Sequence, residues 1–165
     1  MITPMKLPEF DRIVVAACAV LGRKFDTPDA RAMLWAIGRQ EGRMYHRRQI
    51  NGPARGLWQF EQGGGVKGVM SHRVSAELAD RLCQAQGVSP EIKAAYQALE
   101  RDDVLACGFA RLLLYTDPRP LPRAILSSED IAWDYYERNW RPGKPHPETW
   151  PAFWKEATTY ARSWK

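Results

Sequence analysis

Glu41 stands at the end of an apolar stretch, where a carboxylate can serve as an acid. In ARAMLWAIGRQE, Leu34, Ile37 and Glu41 recur at helical spacing and therefore share one face of a predicted helix. Apolar surroundings disfavour the charged form and raise the pKa of a glutamic acid above its reference of about 4.3. A carboxyl group that keeps its proton near neutral pH can donate it to a glycosidic oxygen. The plain alternative is a solvated glutamate at a helix end.

A second motif, NGPARGLWQF, brings its Gly56 fifteen residues after that glutamate. Gly52 and Gly56 permit tight turns and the close approach of a ligand. Trp58 and Phe60 alternate with Gln59, so a short extended piece would place the rings on one side and the amide on the other. An amide both donates and accepts hydrogen bonds, which suits the acetamido groups of amino sugars. The alternative is a turn that carries a core tryptophan.

A third segment, DYYERNWRPGKP, supplies Tyr136, Asn139, Pro142 and Gly143, and DDVLACGFARLLLY precedes it. Together the three blocks resemble the lytic transglycosylase and goose-type lysozyme families of the lysozyme superfamily. In those families a catalytic glutamate precedes a GLMQ-type motif by this interval, and a YNAGPG-type motif follows near the end of the domain. The resemblance covers about residues 30–145.

The chain departs from the family pattern at three places. Gly42 stands where the family usually has serine, and Trp58 stands where it usually has methionine. Inserted residues open the tyrosine–asparagine motif, so either Tyr135 or Tyr136 fits the tyrosine position. These departures affect the fine geometry of the sugar subsites.

The resemblance implies that Glu41 first protonates the oxygen between N-acetylmuramic acid and N-acetylglucosamine and then acts as a base. In a transglycosylase the muramic 6-hydroxyl closes an anhydro ring, and one carboxylate suffices. In a hydrolase a second carboxylate activates water, and Glu61 is the nearest candidate in sequence, although an exposed loop glutamate is its plainer interpretation. The substrate-binding residues implied are Gly56, Leu57, Trp58, Gln59, Tyr135, Tyr136 and Asn139. Trp58, Phe60 or Trp140 would wall the cleft, unless these rings belong to the core.

The segment RMYHRRQ is basic, and solvated surface is its default interpretation. If the cleft lies beside it, the lactyl and peptide carboxylates of peptidoglycan are natural partners for Arg43, Arg47 or Arg48.

The composition limits the other function classes. A net charge of +5 favours polyanionic partners without choosing among nucleic acid, anionic lipid and cell-wall polymers. The basic residues are scattered and no predicted helix carries a one-sided basic face, which argues against a nucleic-acid partner. The three histidines and three cysteines have no metal-ligand spacing, so no metal or other cofactor is expected. The cysteines are expected to be buried free thiols. No run of residues is long enough to predict a membrane span.

The 165 residues predict one domain of mainly α structure, or α+β with a minor sheet in the glycine-rich region 42–68. The resemblance makes that domain lysozyme-like. Caps are predicted at Thr27 with Pro28 in the first turn, at Ser89 with Pro90, and at Ser127 in a capping box with Asp130. Helices are predicted over about 8–23, 28–41, 72–86, 90–99, 102–115 and 127–140, and after Pro151.

The leading hypothesis is a peptidoglycan-degrading enzyme. No signal peptide is recognised, because the apolar run IVVAACAVLG is short and follows acidic residues. The protein is therefore expected to be made in the bacterial cytoplasm. A phage or prophage origin would fit, either as an endolysin that reaches the periplasmic wall or as a virion component associated with other virion proteins. The alternative hypothesis is a non-catalytic, lysozyme-like structural or binding component of a virion.

Overall fold

The computed structural model describes residues 1–164, and its regular structure is helical. Its α-helices are α1 (Leu7–Leu21), α2 (Pro28–Gly42), α3 (Lys67–Ser71), α4 (Ala76–Ala85), α5 (Ile92–Ala98), α6 (Asp103–Thr116), α7 (Glu129–Trp140) and α8 (Trp150–Ala161). Short 3-10 turns occupy Arg23–Phe25 and Pro147–Thr149, and residues Gln62–Val66 form a turn that is kinked at Gly64, whose backbone is not helical. The predicted mainly helical class is thus confirmed.

Two helix starts follow directly from local sequence. At α2 the Thr27 hydroxyl accepts a hydrogen bond from the Ala30 N–H at 3.1 Å, and Pro28 fills the first helical position, as predicted. At α6 the Asp102 carboxylate accepts from the Leu105 N–H at 2.9 Å. Each cap satisfies a backbone donor that would otherwise lack a partner at the helix start.

Two other predicted caps are wrong. Ser128, and not Ser127, caps α7, where its hydroxyl accepts from the Ile131 N–H at 3.4 Å. Ser89 lies outside α5, which begins at Ile92 without a side-chain cap. In both places adjacent polar residues offer more than one plausible cap, and the turn that precedes the helix decides between them.

The predicted minor sheet does not form within residues 1–164. Region 42–60 contains only isolated antiparallel bridges, which join Arg55 to Arg48 and to Phe60. The chain reverses through a turn in which the Gln59 N–H donates to the Gly56 carbonyl at 2.9 Å. Reversals at this spacing leave no length for a strand ladder.

Helix α2 is the central element for the candidate site because both of its faces are covered. It packs chiefly on α8 and also contacts α6 and α7, while α1 packs on α6. The three cysteines, Cys18, Cys83 and Cys107, are buried and free, as predicted. Over the described part of the chain, the helices are too short or too polar to cross a bilayer.

Candidate active site

Glu41 occupies the last turn of α2 and is half-buried. Burial raises the pKa of this carboxyl group from 4.5 to about 7, against the opposing effects of a hydrogen bond from Tyr136 and the positive charge of Arg43. A glutamic acid with this pKa is populated in both protonation states at neutral pH. It can therefore give up a proton and later take one back without a large energetic penalty.

Tyr136, on α7, is the direct partner of Glu41. Its hydroxyl donates to Glu41 Oε1 at 2.5 Å. Its buried ring stacks on Trp150 at the start of α8, with ring centroids 5.1 Å apart and planes 9° from parallel. Burial and the neighbouring Glu41 charge raise the pKa of the Tyr136 phenol, so it remains a hydrogen-bond donor. Helices α7 and α8 thus fix the orientation of a carboxyl group carried by α2.

The structure separates the two tyrosines that the sequence left as alternatives. The Tyr135 hydroxyl donates to the Leu114 carbonyl at 2.9 Å, at the end of α6. Burial raises the pKa of Tyr135 to about 12. The Asn139 amide is turned the same way and donates to Asp117 Oδ2 at 2.8 Å. The Tyr135 and Asn139 side chains therefore bond α7 to the C-terminal end of α6. This placement does not support their predicted substrate-binding roles.

Gln59 lies in a strained turn close to the end of α2. Its φ is +52° and that of Gly56 is +79°, so the chain passes twice through the left-handed region within four residues. The Gln59 side-chain nitrogen donates to the Gly56 carbonyl at 2.9 Å and, more weakly, to the His46 carbonyl at 3.4 Å. The side-chain oxygen of this half-buried residue accepts no hydrogen bond within residues 1–164. Since no buried side-chain oxygen there lacks a partner, this oxygen is open to solvent and can accept a hydrogen bond from a ligand.

The predicted aromatic wall requires a correction. Trp58 is only 1% exposed, and its indole N–H donates to the Leu34 carbonyl at 2.8 Å, so its ring belongs to the core. Leu57 and Phe60 are buried as well. Trp140 remains half-buried, with its indole N–H bonded to the Trp58 carbonyl at 3.0 Å. Of these rings, only that of Trp140 keeps substantial exposure beside the site.

Gly42 allows the 56–60 turn to approach α2. A Cβ atom at this position would lie 2.9 Å from the Leu57 carbonyl oxygen and 3.8 Å from Cγ of Gln59. Real Cβ atoms essentially never come that close to a backbone oxygen, so a serine here would displace the turn. The lack of a Cβ atom at Gly42 therefore allows the turn that carries Gln59 to lie close to the end of α2.

Gln40 is a supporting residue that the sequence reasoning missed. Its buried amide donates to the His146 carbonyl at 2.9 Å and accepts from the Thr149 hydroxyl at 2.9 Å. These bonds hold the chain just ahead of Trp150, the residue that stacks on Tyr136. The available signal was a polar residue after the apolar run Met33–Ile37, directly before Glu41.

No second carboxylate is bonded to Glu41 among the described residues. Glu61, the candidate from sequence, is exposed at the head of the Gln62–Val66 turn. Two surface grooves of about 470 and 440 Å³ lie elsewhere and do not include Glu41. Residues 1–164 contain no cluster of three histidine, cysteine or acidic side chains that would hold a metal ion. The candidate site is therefore identified by its chemistry, and it lies outside these two grooves.

Comparison of the chain with protein-family models, curated proteins and solved structures gives no match.

Proposed function

We propose that the protein cleaves the β-1,4 glycosidic bond between N-acetylmuramic acid and N-acetylglucosamine in peptidoglycan, with Glu41 as the acid and base. The observation that carries the proposal is the half-buried Glu41 held by the Tyr136 hydroxyl, with a pKa near 7. The order of the three sequence motifs around this pair supports the same substrate class.

In this mechanism the protonated Glu41 donates to the glycosidic oxygen as the bond to the anomeric carbon breaks. The leaving sugar departs with that proton, and the carboxylate that remains is stabilised by the Tyr136 hydroxyl. Hydrogen bonding and nearby positive charge both favour the charged form of a carboxylate. These two effects keep Glu41 ionised once its proton has left, while burial, which raises its pKa to about 7, keeps the carboxylate basic enough to take up a proton in the second half of the reaction.

A single-carboxylate route fits the surroundings of Glu41. The substrate acetamido group assists departure, and Glu41 then removes the proton from the muramic 6-hydroxyl as an anhydro ring closes. A hydrolytic outcome needs water at the same position, activated by Glu41 or by a second carboxylate such as Glu61. The anhydro product is the primary proposal, since Glu61 is exposed and the side-chain hydrogen bond to Glu41 comes from Tyr136.

The test is to incubate purified peptidoglycan with the wild type, Glu41→Gln and the control Glu61→Gln, and to weigh the released fragments. The proposal expects release by the wild type and Glu61→Gln, and a loss of at least a hundredfold in Glu41→Gln. Muramic ends that lack the mass of one water identify the transglycosylase, whereas reducing ends identify the hydrolase. Equal release by the wild type and Glu41→Gln would remove Glu41 from the mechanism.

The non-catalytic alternative rests on the core placement of Trp58 and the absence of Glu41 from both grooves. It expects no fragment release by any variant, together with retention of the intact protein on peptidoglycan. The phage or virion setting belongs to the same proposal and depends on the family resemblance alone.

A further inference from the structure

The basic segment after α2 contains three arginines that differ in their partners. Arg47 forms an ion pair with Asp103 at 2.7 Å, and Arg48 pairs with Glu100 at 2.9 Å. Within residues 1–164, Arg43 has no carboxylate at ion-pair distance. Of the three cations that the sequence offered for substrate carboxylates, two are therefore already paired with carboxylates of the protein, Arg48 at the exposed surface.

The Arg43 guanidinium is held in place by contacts that leave its charge unbalanced. Arg43 ends α2 in the left-handed conformation, with φ of 58°. Its Nη1 donates to the carbonyls of Arg39 and Gln40 at 3.1 and 3.3 Å. The guanidinium carbon lies 5.1 Å from the centre of the Phe153 ring on α8. These contacts fix its position before any ligand arrives, and pre-organisation lowers the entropic cost of binding.

The remaining donors of Arg43 form the edge of the guanidinium that matches a carboxylate. Nε and Nη2 have no partner among the described residues. Since no buried side-chain nitrogen or oxygen there lacks a partner, both donors are open to solvent. Two parallel N–H groups on one planar edge bind both oxygens of a carboxylate at once.

The surrounding acidic residues leave this edge open. Glu156 forms an ion pair with Arg39 at 3.1 Å. The Arg39 guanidinium, like that of Arg43, lies over the Phe153 ring. Glu148 is exposed and lies 3.2 Å from the His146 ring. A hydrogen bond from its own backbone N–H lowers its pKa, and the charge of Arg43 adds to this effect, but Glu148 is not at ion-pair distance from Arg43.

We propose that Arg43 binds a carboxylate of the glycan substrate and so sets the scissile bond against Glu41. The inference rests on the proposed function. Arg43 follows Glu41 by two residues, and its charge is felt by both Glu41 and Tyr136. The carboxylate belongs either to the lactyl group of a muramic acid or to a stem peptide, and both would use the same pair of donors.

The experiment measures binding in a Glu41→Gln background, where bound glycan is not cleaved. Two probes lack carboxylates: an N-acetylglucosamine tetramer, and a peptide-free peptidoglycan glycan fragment whose lactyl carboxylates are converted to methyl amides. Two probes carry them: the same fragment with free lactyl carboxylates, and a fragment with stem peptides. Calorimetry gives the Kd of each. We expect a carboxylate-bearing fragment to bind about tenfold to a hundredfold more tightly than the amide or the tetramer. Tight binding of the peptide-free acid identifies the lactyl group, and a gain seen only with stem peptides identifies the peptide.

Adding Arg43→Gln should abolish this preference and leave the Kd of the uncharged tetramer within about twofold. Arg48→Gln is the matched control, since it removes the same charge from the same segment and should preserve the preference. Arg43→Lys keeps the charge without the planar edge and should lose most of the preference. It also provides a second variant if Arg43→Gln unfolds, which circular dichroism would show.

Two outcomes would overturn the inference while leaving the proposed function intact. One is a carboxylate preference that survives both changes at Arg43, and the other is an equal loss of preference in Arg48→Gln. If no glycan probe binds and the wild type releases no fragments from peptidoglycan, the inference and the proposed function fail together.

Discussion

The raised pKa of Glu41 predicts that this carboxyl group destabilises the protein at neutral and alkaline pH. The folded state holds the Glu41 proton with a pKa of about 7, whereas 4.5 is the ordinary value expected of the unfolded chain. Because the folded state binds the proton more tightly, the free energy of unfolding falls as the pH rises from about 4.5 to about 7. A difference of about 2.5 pKa units corresponds to roughly 3 kcal/mol. Glu41→Gln removes this titration, and its amide oxygen can still accept the hydrogen bond from Tyr136.

Urea unfolding of the wild type and Glu41→Gln between pH 4 and pH 8.5 tests this directly. When the free energy of unfolding of one protein is subtracted from that of the other, the contributions of the titrating groups that both share cancel. We expect nearly equal stability at pH 4 and an advantage of up to about 3 kcal/mol for Glu41→Gln above pH 7, equivalent to a Tm higher by about 10 °C. Glu61→Gln, at an exposed glutamate, is the control and should track the wild type. A difference that does not change with pH, or a less stable Glu41→Gln at pH 8, would refute the burial argument.

The remaining predictions concern the partners of Glu41 and the packing of α2. Tyr136→Phe removes a hydrogen bond that lowers the Glu41 pKa, so the alkaline limb of the pH–activity profile should move to higher pH and kcat should fall about tenfold; an unchanged profile would contradict the pairing. Tyr135→Phe removes a hydroxyl that is hydrogen-bonded to α6, so the Tm should drop by a few degrees while kcat stays within about twofold. A loss of kcat equal to that of Tyr136→Phe would show that the different roles given to the two tyrosines are wrong. Gly42→Ala places a methyl group 2.9 Å from a backbone carbonyl and should lower the free energy of unfolding by about 1–3 kcal/mol, whereas Gly143→Ala meets no atom within 4 Å and should be neutral in the same denaturation assay.

The helical class and the position of Glu41 are the features that local sequence determines most directly. The Thr27 cap with Pro28 specifies the start of α2, and the spacing of Leu34, Ile37 and Glu41 predicts a shared, largely buried face. Both depend on residues close together in the chain. Local chemistry and tertiary packing favour the same answer here, which makes such features predictable.

The aromatic and amide residues of the site were less predictable because their roles depend on distant contacts. The indole N–H of Trp58 has its acceptor at Leu34, and Asn139 has its acceptor at Asp117. Neither partner is marked by a sequence motif. A tryptophan with a satisfied N–H packs as well in a core as on a cleft wall, so its type alone does not decide between them.

Gly42 shows how the lack of a side chain at one position shapes the candidate site. From sequence, the glycine after Glu41 is expected to affect the fine geometry of the proposed sugar subsites. In the structure, the missing Cβ lets the Leu57 carbonyl lie against α2, and this brings the Gln59 side chain beside the helix end that carries Glu41. A serine side chain at this position would push the turn outward. Gly42 therefore favours a site in which the orientation of Glu41 depends on Tyr136 from α7, and the 56–60 turn approaches closely enough to contribute the Gln59 amide oxygen.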